Sequence, residues 1–281
     1  MRYILIYCLQ FLSLAALCQA VVTSPAISPG NSKTGKFYSM RGFRMYTETY
    51  GTGQPLLIIH GNGGSMKDFQ NQVPYFMKKY RVILADSRAH GRSVDTGDSL
   101  SYEQMADDFA VLLDSMHIDS AHVLGWSDGG INGLLLAMRH PEKVKKLAVT
   151  GANLWPDSTA VYPDIIRIIE PMNDSLNKKG ELSKQDKHLK KLFHLLLDEP
   201  HIALTDLVKV KCPTLVIGGD HDVIREEHTM AIYQHIPKAY LWILPNSGHS
   251  TPVRYKEVFN TTIDDFFKKN YESYTPQKRF Y

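Results

Sequence analysis

The stretch Val123-Leu-Gly-Trp-Ser-Asp-Gly-Gly130 constrains this chain more than any other. It reads G-x-S-x-G over Gly125, Trp126, Ser127, Asp128 and Gly129. An apolar run, 121–124, precedes it, and a helical pattern, 131–140, follows. A serine at the tip of so sharp a strand-to-helix turn is forced outward, and glycines flank it because no Cβ fits there. An exposed hydroxyl alone is unreactive. The rest of the chain must supply a base, an acid to orient it and a site for a developing oxyanion.

The sequence around that turn alternates strands with helices. Residues 55–60 and 81–85 are continuous apolar runs of strand length, apolar on both faces as central parallel strands are. Residues 144–149, 213–217 and 239–244 repeat the pattern, and residues 37–50 predict one or two antiparallel strands at the sheet's start. Helices are expected over 66–79 (despite Pro74), 101–116 with Ser101 and Gln104 as a capping box, 225–235, and 252–268 with Pro252 near its start. Residues 86–98 read as a polar loop. The alternation predicts βαβ units and a parallel sheet.

Residues 153–205 break the rhythm. Helical patterns at 163–169 and 182–197 predict a small helical cap inserted after the sixth strand, between core segments 37–152 and 206–270. The second helix carries Leu189, Leu192, Phe193 and Leu196 on one face. Lys184, Lys187, Lys190 and Lys191 surround the other and read as a solvated face. Residues 271–281 read as an unstructured tail.

The N-terminus predicts export. Arg2 precedes an apolar run, 3–17, and Cys18-Gln-Ala20 is a small-x-small cleavage site, so cleavage is expected after Ala20, with 21–36 as a linker and a periplasmic or secreted product. The run is short of the ~20 apolar residues of a spanning anchor, and bulky Leu17 disfavours a lipid on Cys18. Removal of the signal leaves Cys212 alone, so no internal disulfide is available; a buried, inert thiol is expected. The net charge of +3 over 281 residues, with lysines and arginines mixed among acids, gives no nucleic-acid footprint. No H-E-x-x-H, C-x-x-C or phosphate-binding glycine loop occurs, so no metal and no cofactor is expected.

Four motifs in order resemble the α/β-hydrolase family: His60-Gly61 after a buried strand, the G-x-S-x-G turn, Gly219-Asp-His-Asp222, and Gly248-His249 after the last strand. The resemblance spans 37–268, and Gly125–Gly130 with Asp86–Ser93 is most similar to the valacyclovir-hydrolase-like and haloperoxidase-like group. It implies an eight-strand-like, mostly parallel sheet flanked by helices, and a serine hydrolase of small esters. Ser127 would be the nucleophile and His249 the base, since histidine titrates near neutrality. Asp222 would orient the ring, the family's Gly-x-x-Asp spacing preferring it to Asp220, which then stabilises its turn. The backbone N–H groups of Asn62 and Asp128 would hold the oxyanion. A serine nucleophile argues against epoxide-hydrolase and haloalkane-dehalogenase chemistry, and His-Gly-Asn-Gly-Gly in place of His-Gly-Gly-Gly argues against a lipase. Perhydrolysis, carbon–carbon cleavage and a non-catalytic binding role are the alternatives.

Possible substrate contacts are Asp128, Trp126 and Trp155. Asp128 has two readings: attraction for a substrate ammonium, or an acid favoured by the helix dipole. Trp155 has two as well, acyl-pocket wall or core. His60 and His90 are expected to brace loops, and His221, His228 and His235 to face solvent.

Overall fold

The computed structural model describes residues 27–31, 33, 35–273 and 275–280. The expected export signal, 1–20, and part of the expected linker, 21–36, lie outside them. Eight strands form one sheet: β1 (Lys36–Ser39), β2 (Arg44–Tyr50), β3 (Gln54–Ile59), β4 (Tyr80–Ala85), β5 (Ala121–Trp126), β6 (Val144–Thr150), β7 (Thr214–Gly219) and β8 (Ala239–Leu244). Their order is β1-β2-β4-β3-β5-β6-β7-β8. β1 and β2 are antiparallel additions, and every pairing from β4 to β8 is parallel. The expected eight-strand, mostly parallel sheet is present.

The two-sided burial of β3 and β5 follows from the period of two along a strand. Leu57, Ile59 and Val123 join the core beneath α2 (Tyr102–Ser115) and α3 (Asp128–Arg139). Leu56, Ile58 and Leu124 join the opposite core, which packs α1 (Val73–Phe76) and α8 (Lys256–Lys268). Each such aliphatic side chain contributes about 1.5–3 kcal/mol by leaving water. This fixes the C-terminal ends of β3, β5, β6 and β7 at one rim of the sheet, where the candidate site lies.

Four helical readings are corrected. Residues 66–79 are not one helix but a 3-10 turn, Met66–Phe69, followed by α1. Pro74 is the reason: lacking an N–H, it fits the first turn of α1, whereas inside one continuous 66–79 helix it would remove a hydrogen bond and clash with the preceding turn. The closing helix is split into α7 (Thr251–Arg254) and α8 at Tyr255, whose φ of −116° and ψ of 34° leave the helical region. Ser101 caps α2 by accepting from the Gln104 N–H, but only that half of the capping box forms. The tail is not wholly irregular, since Gln277–Phe280 makes one 3-10 turn.

Two helices stand between β6 and β7: α4 (Pro163–Asn177) and α5 (Lys184–Asp198). α4 outruns its predicted end and runs through Pro171, which costs it one helical hydrogen bond, and buried Leu176 anchors the last turn. α5 buries Leu192 and Leu195, whereas Leu189 is 36% exposed. The helix is therefore rotated from the predicted face. Lys184 and Lys187 are exposed, but Lys191 is not simply solvated: its Nζ donates to Gly97 O at 2.7 Å. The 86–98 loop is also drier than a polar loop suggests. Buried Arg88 grips Asp108 through two hydrogen bonds of 2.7 and 2.8 Å, and Asp86 accepts from the Met66 and Arg92 N–H groups. α6 (Glu226–His235) completes the layer against β7 and β8.

Candidate active site

Ser127 sits between β5 and α3 with φ 57° and ψ −123°. That conformation is strained for a non-glycine residue, by about 1–3 kcal/mol, and persists only where the surroundings impose it. Ser127 N–H donates to Thr150 O at 2.8 Å, and Ser127 O accepts from Gly130 N–H at 2.7 Å. A Cβ on Gly125 would lie 2.1 Å from Gly129 O, so the turn cannot close over any larger residue. The hydroxyl is thereby held above the sheet edge, as the sequence predicts.

Asp222 and His249 follow β7 and β8 and meet that hydroxyl. Ser127 Oγ–H donates to His249 Nε2 at 2.9 Å. His249 Nδ1–H donates to Asp222 Oδ1 at 2.6 Å. Asp222 is buried, and the Ile224 N–H steadies the same oxygen at 3.3 Å. Asp220 does different work: it accepts from the Asn246 and Ser247 N–H groups at 2.9 and 3.0 Å, tying the histidine loop to the turn after β7. Those two N–H groups draw its carboxyl below the usual range.

Two further residues shape the imidazole's seat. Trp126 Nε1–H donates to His249 O at 2.8 Å, so its indole braces the histidine's own backbone. Gly151, which sequence reasoning missed, has φ 63°, and a Cβ there would lie 2.7 Å from His249 Cε1. A lone glycine after a strand carries no signal of that contact.

The loop after β3 closes the other side. A Cβ on Gly61 would lie 3.0 Å from Ser127 Cβ, so Asn62 follows a residue packed directly against the serine. Buried His60 accepts the Ser87 N–H at Nε2, 2.9 Å away, and its other nitrogen lies 2.8 Å from Gly61 O, bracing the loop as expected. His90 is likewise buried, its Nδ1 2.8 Å from Arg88 O. Burial lowers both rings to about 4, leaving them neutral.

Asp128 is buried, with Oδ2 accepting from Asn62 Nδ2 at 2.9 Å. Burial pushes its carboxyl up to about 6, against the stabilising donors Tyr102 and Asn62. The acid therefore faces other side chains and is more than a dipole-favoured residue at a helix start. Tyr102, absent from the sequence reading, also reaches Leu195 O at 3.3 Å.

His228 corrects an expectation of exposure. It is buried, its Nε2 accepts the Leu154 N–H at 2.9 Å, and Trp155 stands edge-on to it with centroids 4.5 Å apart. Trp155 Nε1–H donates to Thr159 Oγ1, so its recorded contacts brace the start of the 153–205 insertion and include no member of the Ser127–His249–Asp222 set. Burial lowers His228 to about 4 from 6.5. Between those values the unfolded chain binds a proton that the folded chain refuses, so this share of stability is complete above 6.5 and is lost as the pH falls toward 4. His228→Gln is expected to reduce the slope of unfolding free energy against pH in that window by about 1.4 kcal/mol per pH unit, measured by denaturant titration. Cys212 is buried as expected, its thiol pushed up to about 11 by burial.

Among the described residues, no cluster of three His, Cys, Asp or Glu is placed to hold a metal ion, and no helix is long and apolar enough to cross a membrane.

Residues 54–172 match the family model described as alpha/beta hydrolase fold. Mouse serine hydrolase BPHL (Mus musculus) is 26% identical over 262 residues, covering 87% of this chain and 90% of that protein. The chain is a hydrolase of the α/β-hydrolase fold. A 2-hydroxy-6-oxononadienedioate/2-hydroxy-6-oxononatrienedioate hydrolase of Comamonas testosteroni is 25% identical, covering 84% of this chain and 96% of that one. Among solved structures, a hydrolase from Pseudomonas aeruginosa PA01 superposes with a TM-score of 0.72 at 20% identity, covering 85% of this chain and all of that one. This last likeness concerns the fold alone. The β5–α3 turn and the 153–177 portion of the insertion both fall in or overlap the matched residues of this hydrolase, whereas Asp222 and His249 lie beyond them.

Proposed function

We propose that this hydrolase cleaves carboxylesters of small molecules through an acyl-enzyme, without a cofactor. The observation that carries the reading is the unbroken relay from Ser127 Oγ to His249 to Asp222, at 2.9 and 2.6 Å. Ser127 Oγ attacks the ester carbonyl as His249 Nε2 takes its proton. Asp222 holds the Nδ1–H tautomer and stabilises the imidazolium. The oxyanion is held by the Asn62 N–H of the loop after β3 and the Asp128 N–H at the start of α3, where the helix dipole favours negative charge. His249 returns the proton to the departing alcohol, and water repeats the sequence to release the acid.

The test is a panel of esters, thioesters and amides with one acyl group, expected to rank esters highest in kcat/KM. The Comamonas relative supports a second reading, carbon–carbon hydrolysis with the same three residues; faster cleavage of a vinylogous 1,5-diketone than of every ester would favour it.

The buried Asp128 carboxylate beside the nucleophile supports preference for a substrate ammonium. Asp128→Asn is expected to lower the kcat/KM ratio of aminoacyl to acetyl esters by at least about tenfold, ~1.4 kcal/mol. In the wild type, that ratio should rise with pH through about 6 as Asp128 ionises. An unchanged ratio in the variant removes the role.

A further inference from the structure

One amide nitrogen in the site serves two partners that the relay does not use. Asn62 Nδ2 carries two protons. It donates to Asp128 Oδ2 at 2.9 Å and to Leu192 O at 3.2 Å, partners 66 and 130 residues away. The first partner is the opening residue of α3, beside Ser127. The second is on the buried side of α5 in the 153–205 insertion. Tyr102, the first residue of α2, reaches the same helix through Leu195 O at 3.3 Å and also hydrogen-bonds the Asp128 carboxylate. A free asparagine side chain would leave the loop after β3 without either tie; here it is fixed in two directions.

We propose that the Asn62 side chain is a positioning residue that sets the separation of the Asn62 and Asp128 backbone N–H groups and makes that separation depend on the seating of helix α5. The inference rests on the ester-hydrolase reading, in which those two groups receive the oxyanion. The side chain touches neither the substrate carbonyl nor the triad. It acts through the backbone of its own loop and, through Asp128, on the first residue of α3. A shift of about 1 Å in one donor is enough to cost on the order of 10²-fold in rate, the lower end of the roughly 10²–10³-fold of losing a donor outright.

The test compares wild type, Asn62→Ala, Asn62→Asp and the exchanged pair Asn62→Asp/Asp128→Asn on an acetyl ester that has no ammonium. Asn62→Ala is expected to lose about 10–100-fold in kcat with KM within about threefold of wild type. Asn62→Asp sets two carboxylates face to face and is expected to lose more. The exchanged pair restores one donor and one acceptor with polarity reversed, and is expected to regain at least about tenfold over Asn62→Asp. A general loss of packing gives no such rescue. Asn62→Ala with kcat within about threefold of wild type, or an exchanged pair no better than Asn62→Asp, overturns the proposal. Endpoint modification by a fluorophosphonate keeps the two readings apart. Complete labelling of Ser127 in wild type leaves the serine-hydrolase reading standing whatever the Asn62 variants do. A wild type left unlabelled withdraws both.

Discussion

Replacing Ser127 by alanine is expected to remove on the order of 10⁶ of kcat, the size of loss found when a triad serine is deleted. The loss is that large because every covalent step passes through one oxygen. The His249–Asp222 pair is left intact at 2.6 Å, yet it has no nucleophile to deprotonate, and only the oxyanion donors and substrate binding still favour attack by water. Stability is expected to change little. Ser127 carries a φ of 57°, and alanine inherits that strain, so relief requires glycine; Ser127→Gly is expected to be at least as stable as wild type while equally inactive. Steady-state kinetics beside thermal melting separates the two effects.

The second large effect belongs to Asp222. Asp222→Asn keeps the shape of the side chain but can turn an N–H toward His249 Nδ1, where a carboxylate now accepts at 2.6 Å. That forces the imidazole proton onto Nε2, the nitrogen that must receive the Ser127 proton. A fall on the order of 10⁴ in kcat is expected, with KM little changed. Asp220→Asn is the control. Asp220 accepts from the Asn246 and Ser247 N–H groups and makes no hydrogen bond to His249 among the described residues, so its loss loosens the histidine loop without inverting the tautomer. A decrease of less than about tenfold in kcat is expected. Equal losses in the two variants would mean that Asp222 is not the orienting acid.

Most of the fold was legible because its strands are buried on both faces. The runs at 55–60 and 213–217 have no polar side to hide, and a strand of that kind has few places to go but the centre of a parallel sheet. Ser127, Asp222 and His249 were legible for a related reason: each follows a parallel strand, and successive parallel strands deliver their C-terminal ends to one rim. Illegible features depend on contacts between distant segments. Nothing local distinguishes His228 from His235 on α6; one is buried because the Leu154 N–H and Trp155 meet it, and the other is exposed. The apolar pattern of α5 predicted the face of Leu189, Leu192, Phe193 and Leu196, whereas in the fold Leu192 and Leu195 are buried and their carbonyls accept from Asn62 and Tyr102, contacts with distant segments. Pro74 within a helical pattern was the local signal that 66–79 would break, and the apolar spacing around it masked that signal.

The most direct measurement of the central claim is peptide-resolved mass spectrometry of the purified protein after reaction with a fluorophosphonate. Stoichiometric modification of Ser127, abolished in Ser127→Ala and slowed in His249→Ala, is the expected result. A native protein whose Ser127 remains unmodified, or one labelled equally well at another serine, would contradict it.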